Sequence, residues 1–248
     1  MPDRRQLLRL IVFLFVLMIG NSFNSDDLKS PLAEEVKGAW QSKDQAGEQV
    51  LIFIDNYVTH TAYSLAHKKF NSTKGGKYRL TAGKIQINYE FNSIDKSIIG
   101  TNAEHDFVIN DGRLSTNING VKSSWTRLDD ASSELAGTWQ ITARMQGNEL
   151  NEMRPGARKT IKILSGTRFH WAAINTETKE FSGSGGGKYT FTNGKYIENI
   201  EFFSRDSSRV GASLTFEGKI EKGNWIHKGL SSKGEKIHEV WSRPFGTE

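Results

Sequence analysis

Apolar and polar residues alternate with a period of two through most of this chain. In segment 85–92, every second residue is apolar, namely Ile85, Ile87, Tyr89 and Phe91. Successive side chains of a strand point to opposite faces, so the pattern predicts β-strands. Asp111-Gly112 and Asn193-Gly194 suit tight hairpin turns between the runs. We expect about eight short strands in each half of the chain and, beyond residue 22, no helix except a turn or two within 148–156.

The chain also matches itself at a shift of 111 residues. Segment 70–78 aligns with 181–189 without a gap, and both end in Lys-Tyr. Each copy starts with Gly-x-Trp and ends with Trp-x-Arg: Gly38, Trp40, Trp125 and Arg127 in the first, Gly137, Trp139, Trp241 and Arg243 in the second. Such ordered matches indicate duplication. The predicted domains are 34–129 and 135–245, joined by the polar segment 130–134.

Each copy has enough strands to form a closed barrel of its own. About eight short strands close on roughly 100 residues, and the interior of such a barrel is either filled or holds one small ligand. The sequence therefore predicts an all-β protein of two tandem antiparallel barrels that fold as separable units. One barrel built from both copies is the alternative.

The first 22 residues predict export. Arg4, Arg5 and Arg9 precede an apolar run over 10–20, and small residues follow. This is typical of a cleaved signal peptide, and the run is shorter than the roughly 20 residues of a membrane-spanning helix. We expect a periplasmic or secreted protein with no membrane span after cleavage, and an uncleaved anchor is the alternative.

Composition narrows the possible partners. The chain has no cysteine, which excludes disulfides and a lipid-modified cysteine. The formal net charge is +5, with lysines scattered among acidic residues rather than gathered in a stripe. Nucleic-acid binding is therefore not predicted.

The bracketing motifs resemble the closed end of lipocalins and related small barrels, where an arginine lies across a tryptophan ring. The resemblance implies two structural plugs, Trp40 with Arg127 and Trp139 with Arg243. In segments 167–171, 185–189, 196–201 and 239–243, the second copy resembles a lipocalin-like family of secreted proteins of Gram-negative bacteria, mostly of unknown function. The first copy is a diverged version. The resemblance implies a fold and export, but no activity.

The two copies differ at positions that alternation places inside the barrel. Ile87, Leu114, Thr116 and Ser123 of the first copy correspond to Glu198, Trp225, His227 and Glu239 of the second. A buried carboxylate needs a partner, and we expect Glu198, His227, Glu239 and Arg243 to form an internal network. The predicted ligand-binding residues are Trp171, Tyr196, Glu198, Trp225, His227 and Glu239. Four histidines are assigned to the surface: His60, His67, His105 and His238.

These residues favour an exported binding protein that holds a small amphipathic or aromatic ligand, of unknown identity, in the second barrel. No catalytic residue, cofactor or metal is predicted. One alternative is a carbohydrate-active enzyme that uses Glu198 and Glu239 with His227. Another is a structural envelope protein with both barrels filled. A metal site from the same three side chains is chemically possible, but the close spacing of known metal motifs is missing.

Overall fold

The computed structural model describes residues 31–118, 120–231 and 233–244. They form two closed antiparallel barrels in tandem, which confirms the predicted fold class and excludes one barrel shared by both copies. The predicted signal peptide, residues 1–22, lies outside the described residues. Within the described ranges, no helix is long and apolar enough to cross a membrane.

The first barrel has eight strands, each hydrogen-bonded to the next, and its last strand pairs with its first. A helical turn, α1 (Pro31–Val36), precedes the barrel and is absent from the sequence prediction. The strands are β1 (Gly38–Asp44), β2 (Gly47–Ile54), β3 (Tyr57–Ser64), β4 (Lys69–Thr81), β5 (Lys84–Asn92), β6 (Asn102–Asn110), β7 (Arg113–Ile118) and β8 (Val121–Asp129).

The second barrel repeats this arrangement and adds one short strand. β10 pairs only with β9, at the segment where the sequence suggested a helical turn, and the other eight strands close the barrel through β9 and β17. The strands are β9 (Gly137–Gln146), β10 (Glu149–Glu152), β11 (Arg158–Leu164), β12 (Arg168–Asn175), β13 (Glu180–Thr192), β14 (Lys195–Phe203), β15 (Ser213–Glu221), β16 (Asn224–Leu230) and β17 (Lys236–Ser242).

A tryptophan and an arginine close one end of each barrel. The Arg127 guanidinium carbon lies 4.1 Å from the Trp40 ring centroid, and that of Arg243 lies 3.8 Å from the Trp139 ring centroid. These distances suit cation–π contacts. Gly137 lies under Arg243 at a φ of +140°, and a Cβ there would fall 1.4 Å from the Arg243 Nη1 atom. The glycine of Gly-x-Trp therefore makes room for the arginine.

Each tryptophan is also anchored by its indole. Trp40 Nε1 donates to the Val36 carbonyl at 2.8 Å, and Trp139 Nε1 donates to the Leu135 carbonyl at 2.9 Å. Val36 and Leu135 are fully buried. The segment before each first strand thus becomes part of the plug.

The barrels pack against each other through an apolar cluster that is distinct from the two barrel cores. Its buried members come from both copies: Ala39, Val50, Ile52, Ile54, Tyr57, Tyr63, Phe91, Ala131, Ile161, Ile163, Ala172, Ile174 and Phe202. Phe70 and Phe181, which are equivalent in the repeat, stack at 6.4 Å with an interplanar angle of 5°. Equivalent residues that meet each other indicate a pseudo-twofold contact, like the interface of a symmetric dimer.

A bulge in each barrel turns side chains towards this contact. The strand register shifts opposite Gly75–Gly76 and opposite Gly186–Gly187. As a result, Glu90 in β5 and Glu201 in β14 have no opposite residue in the neighbouring strand. Phe91 then packs in the inter-barrel cluster, although simple alternation places it with Ile87 inside the barrel. An extra residue shifts the side-chain alternation, which explains the difference.

Candidate functional site

The interiors of the two barrels differ in volume. The second encloses a cavity of about 410 Å³, whereas the space inside the first is about 20 Å³, room for about one water molecule. Apolar side chains such as Leu51, Ile87 and Phe107 fill the first barrel. The second barrel is therefore the one with room for a ligand. Another depression, of about 320 Å³, lies over β6, β7 and β8 and is lined mainly by polar side chains.

The order of inward side chains along β11 defines the depth of the cavity. Leu164, at the end of β11, lies in the core cluster beside the plug. Going back along the strand from the plug, the next inward side chains are Lys162, Thr160 and Arg158. Leu164 and Lys162 are buried, while Arg158 is exposed. The cavity thus has a floor near Lys162 and a mouth near Arg158.

Lys162 occupies the floor inside a ring of aromatic side chains. Its Nζ atom lies between 5.0 and 5.9 Å from the ring centroids of Trp241, Trp225, Tyr196 and Phe169. It also donates to Glu198 Oε1 at 2.8 Å, and the Tyr196 hydroxyl donates to the same oxygen at 2.9 Å. Burial and the Glu198 charge raise the pKa of Tyr196, which keeps the phenol a donor. Glu198 therefore has the partners that a buried carboxylate requires.

Glu239 forms a second charged cluster nearer the mouth. It accepts from Arg144 Nη2 at 2.9 Å and from Trp241 Nε1 at 3.2 Å. Burial alone would raise the pKa of Glu239, but its contact with His227 and the positive charges of Lys162 and Arg144 outweigh it and lower the pKa. Glu239 is therefore a fixed negative charge at neutral pH.

The predicted network of Glu198, His227, Glu239 and Arg243 is wrong in one respect, because Arg243 is not the cation that pairs with the carboxylates. Arg243 lies at the plug, and the partners of the two carboxylates are Lys162 and Arg144. A register shift between Val240 and Trp241 places Glu239 opposite Arg144 on β9. Sequence alternation does not reveal such a bulge.

His227 is buried in the cavity wall and contacts Glu239, but it makes no hydrogen bond of good geometry. Neither ring nitrogen has a partner within the described part of the chain, and Nδ1 lies 3.5 Å from Glu239 Oε2. Burial lowers the pKa of His227 and outweighs the adjacent Glu239 carboxylate, which acts to raise it, so the imidazole is neutral at pH 7. The indole nitrogen of the adjacent Trp225 has no partner either. Buried polar groups in native proteins are rarely left unpaired. Of these two residues only His227 lines the cavity, so the unpaired polar group at the cavity is the imidazole.

The structure brings the predicted site residues together in two layers. Trp171, Glu198, His227 and Glu239 line the cavity. Tyr196 and Trp225 lie behind the cavity in the barrel core. The Tyr196 ring contacts the His227 ring edge-on, and the Trp225 ring contacts it at a tilt. Trp171 stands in the wall and packs edge-on against Phe203 at 5.4 Å.

Sequence reasoning missed the cations of the site, namely Lys162, Arg144, Arg158 and Arg205. Ile161 and Ile163 make β11 look as if its odd positions face the core, but they face the other barrel. A signal was present, because Lys162 stands where the first copy has Leu51. The same comparison between copies identified Glu198.

Two histidines assigned to the surface are inside the first barrel instead. His60 packs edge-on against Trp125 at 5.5 Å and contacts Gln49 Oε1 at 2.9 Å, and His105 contacts the Tyr89 hydroxyl at 3.2 Å. Burial, with Lys74 nearby, lowers the pKa of His60 to about 3. Their polar sequence neighbours face outward because alternation separates the two faces of each strand.

The geometry gives little support to the catalytic and metal alternatives. Acid–base chemistry by two carboxyl groups needs one group with a raised pKa, whereas the pKa of Glu239 is lowered and Glu198 is ion-paired. Among the described residues, no group of three or more potential metal-ligating His, Asp or Glu side chains comes together. The arrangement is a cavity with apolar walls and a few polar groups.

Comparison with protein-family models finds no match for this chain, and comparison with curated proteins finds none either.

Proposed function

We propose that this chain is an exported lipocalin-like binding protein that holds a small amphipathic or aromatic ligand in the cavity of its second barrel. The observation that carries the proposal is the difference between the two copies. The two barrels share the same strand arrangement, but side chains fill the first, whereas the second has a cavity of about 410 Å³. That volume falls within the range of roughly 300–1,000 Å³ typical of small-molecule sites.

The wall of the cavity supports an amphipathic or aromatic ligand. Apolar side chains line it beside the charged clusters: Trp171, Ile174, Leu214, Phe216, Ile237 and Trp241. Flat aromatic and branched aliphatic surfaces bind aromatic or hydrocarbon groups by burial and by ring contacts. The polar groups then orient the ligand.

A neutral fluorescent probe, N-phenyl-1-naphthylamine, tests this function without relying on charge. We expect one probe molecule to bind per chain with increased emission. Ala173 lines the cavity, and Ala62 is its counterpart in the first copy. Ala173→Trp fills the cavity and is expected to abolish binding, whereas Ala62→Trp leaves it intact. Absence of saturable binding, or equal behaviour of both variants, would contradict the proposal.

Export is proposed from residues 1–22 and has its own test. When the full chain is expressed in a Gram-negative host, the mature protein is expected in the periplasm or medium with an N-terminus near residue 23. Protein retained in the cytoplasm with residue 1 intact would contradict it.

A further inference from the structure

The cavity carries more positive charge than its own carboxylates neutralise. Five cationic side chains line it, Arg144, Arg158, Lys159, Lys162 and Arg205, against two carboxylates, Glu198 and Glu239. Lys162 and Arg144 pair with these carboxylates, and Lys159 pairs with Glu90 of the first barrel at 2.8 Å. Two arginines remain.

Arg158 and Arg205 are these unpaired cations, and both stand at the mouth. Neither guanidinium belongs to any of the ion pairs formed among residues 31–118, 120–231 and 233–244. Arg205 Nε donates to the Ser182 carbonyl, which holds the side chain beside the cavity. Two exposed arginines beside an apolar cavity suit an acidic group, since guanidinium donates paired hydrogen bonds to a carboxylate.

The opposite end of the cavity requires a different chemistry. Arg158 and Lys162 are four residues apart on β11, a separation of about 13 Å along the strand. Deeper than the arginines, His227 lies opposite Glu239 in the cavity wall, and neither of its ring nitrogens has a hydrogen-bond partner among the described residues. A neutral imidazole both donates and accepts a hydrogen bond, as a hydroxyl group does.

We propose that the ligand is an anionic amphiphile whose acid group lies at Arg158 and Arg205 and whose far end carries a hydroxyl group that hydrogen-bonds to His227. The apolar body lies between these ends against Trp171, Leu214 and Phe216. This inference rests on the proposed function and specifies the ligand class of the same cavity.

Three rigid aromatic probes separate the contributions of the two ends: 6-hydroxy-2-naphthoate, its neutral amide, and 2-naphthoate without the hydroxyl. Calorimetric titration of the full chain is expected to show that the hydroxy acid binds about tenfold more tightly than either of the other two. A charge-assisted hydrogen bond between the acid and an arginine, and a neutral hydrogen bond between the hydroxyl and His227, each support a difference of about this size. The preference for the acid over the amide is expected to shrink at high salt, because the arginines are exposed.

Variants assign each preference to its residues. Arg158→Met with Arg205→Met is expected to remove the preference for the acid over the amide, and His227→Phe to remove only the preference for the hydroxyl. Arg113→Met, an exposed arginine on β7 of the first barrel, is the matched control and is expected to keep both preferences. The neutral amide serves as the internal check that a double variant still folds and binds.

The outcomes distinguish this inference from the proposed function. If acid and amide bind equally well and both are displaced by N-phenyl-1-naphthylamine, the cavity binds ligands but the anionic class is wrong. If the preference for the acid persists in the double arginine variant, the mouth assignment is wrong. If no probe binds and N-phenyl-1-naphthylamine does not bind either, the proposed function itself fails.

Discussion

Lys162 and Glu198 form a buried ion pair, with Nζ and Oε1 2.8 Å apart, at the positions where the first barrel has Leu51 and Ile87. Both ionic side chains are less than a tenth exposed, and both apolar counterparts lie in the core of the first barrel. One frame thus supports an apolar pair in one copy and an ionic pair in the other. The second copy thereby places polar groups inside a cavity that the first copy fills.

A double-mutant cycle is expected to show that this pair contributes little net stability. Removing one partner leaves a buried unpaired charge, so Lys162→Leu and Glu198→Ile should each cost about 3–5 kcal/mol. The double variant restores the residues of the first barrel and should unfold in urea close to the wild type. If the two single losses add in the double variant, the two side chains are not energetically coupled and this account of the pair is wrong.

The plug is expected to contribute more to stability than the cavity wall. Trp139 is 1% exposed and packs at 5.8 Å from Trp225, so Trp139→Ala should lower the free energy of unfolding by roughly 3–5 kcal/mol. Trp171→Ala is the control, because Trp171 lies half-buried in the wall and its loss should cost less. Urea denaturation measures both. Equal losses would show that the plug has no special role.

The contact between the barrels modifies the prediction of separable units. Tyr63 donates to Glu201 Oε2 at 2.6 Å across the contact, beside an apolar cluster from both copies. Each barrel also has a core of its own. We expect residues 31–129 and 130–248, expressed separately, to fold, to be less stable than the full chain and to form a one-to-one complex when mixed. Unfolded halves, or folded halves that do not associate, would contradict this.

His170 is expected to make stability depend on pH. Its Nε2 atom lies 3.0 Å from both Thr73 Oγ1 and Ser184 Oγ, and burial lowers its pKa to about 3. The unfolded chain takes up a proton near pH 6.5 that the folded chain resists. This contribution is therefore complete above pH 6.5 and is lost towards pH 3, by about 1.4 kcal/mol per pH unit.

Unfolding free energies measured from pH 8 to pH 4.5 test this. His170→Thr, which introduces the residue of the first copy, should lose less stability than the wild type over that range. His60 also has a pKa lowered to about 3 by burial and Lys74, so part of the dependence remains. His67→Thr changes an exposed histidine and should leave the dependence unchanged. Identical slopes for the wild type and His170→Thr would contradict the assignment.

The fold follows from local patterns in the sequence. Alternation of period two, glycine-containing turns and the repeat at 111 residues together predict two tandem barrels, because each pattern constrains the same strands. Comparison of the copies also identifies Glu198, His227 and Glu239, since a shared frame makes each difference stand out. Local patterns do not show whether the apolar face of a strand packs inside its own barrel or against the other barrel. Ile161 and Ile163 pack against the other barrel, so alternation wrongly placed Lys162 on the outside.

Bulges limit the prediction in a different way. A bulge adds one residue and reverses the alternation beyond it, yet Glu90 and Glu201 have no distinctive sequence signature. Strict alternation therefore fails to predict that Phe91 packs in the inter-barrel cluster. A separate shift beside Val240 likewise places Glu239 opposite Arg144. Cavity volume is also outside the reach of sequence, because it depends on how eight strands pack together.

The crystal structure of the full chain soaked with 6-bromo-2-naphthoate tests the central claim most directly. The account predicts one anomalous bromine peak inside the second barrel, in the cavity lined by Trp171, Phe216 and His227, and none inside the first. A peak in the first barrel or in the inter-barrel cluster, or bromine only on outer surfaces, would contradict the claim that the second barrel is the binding site.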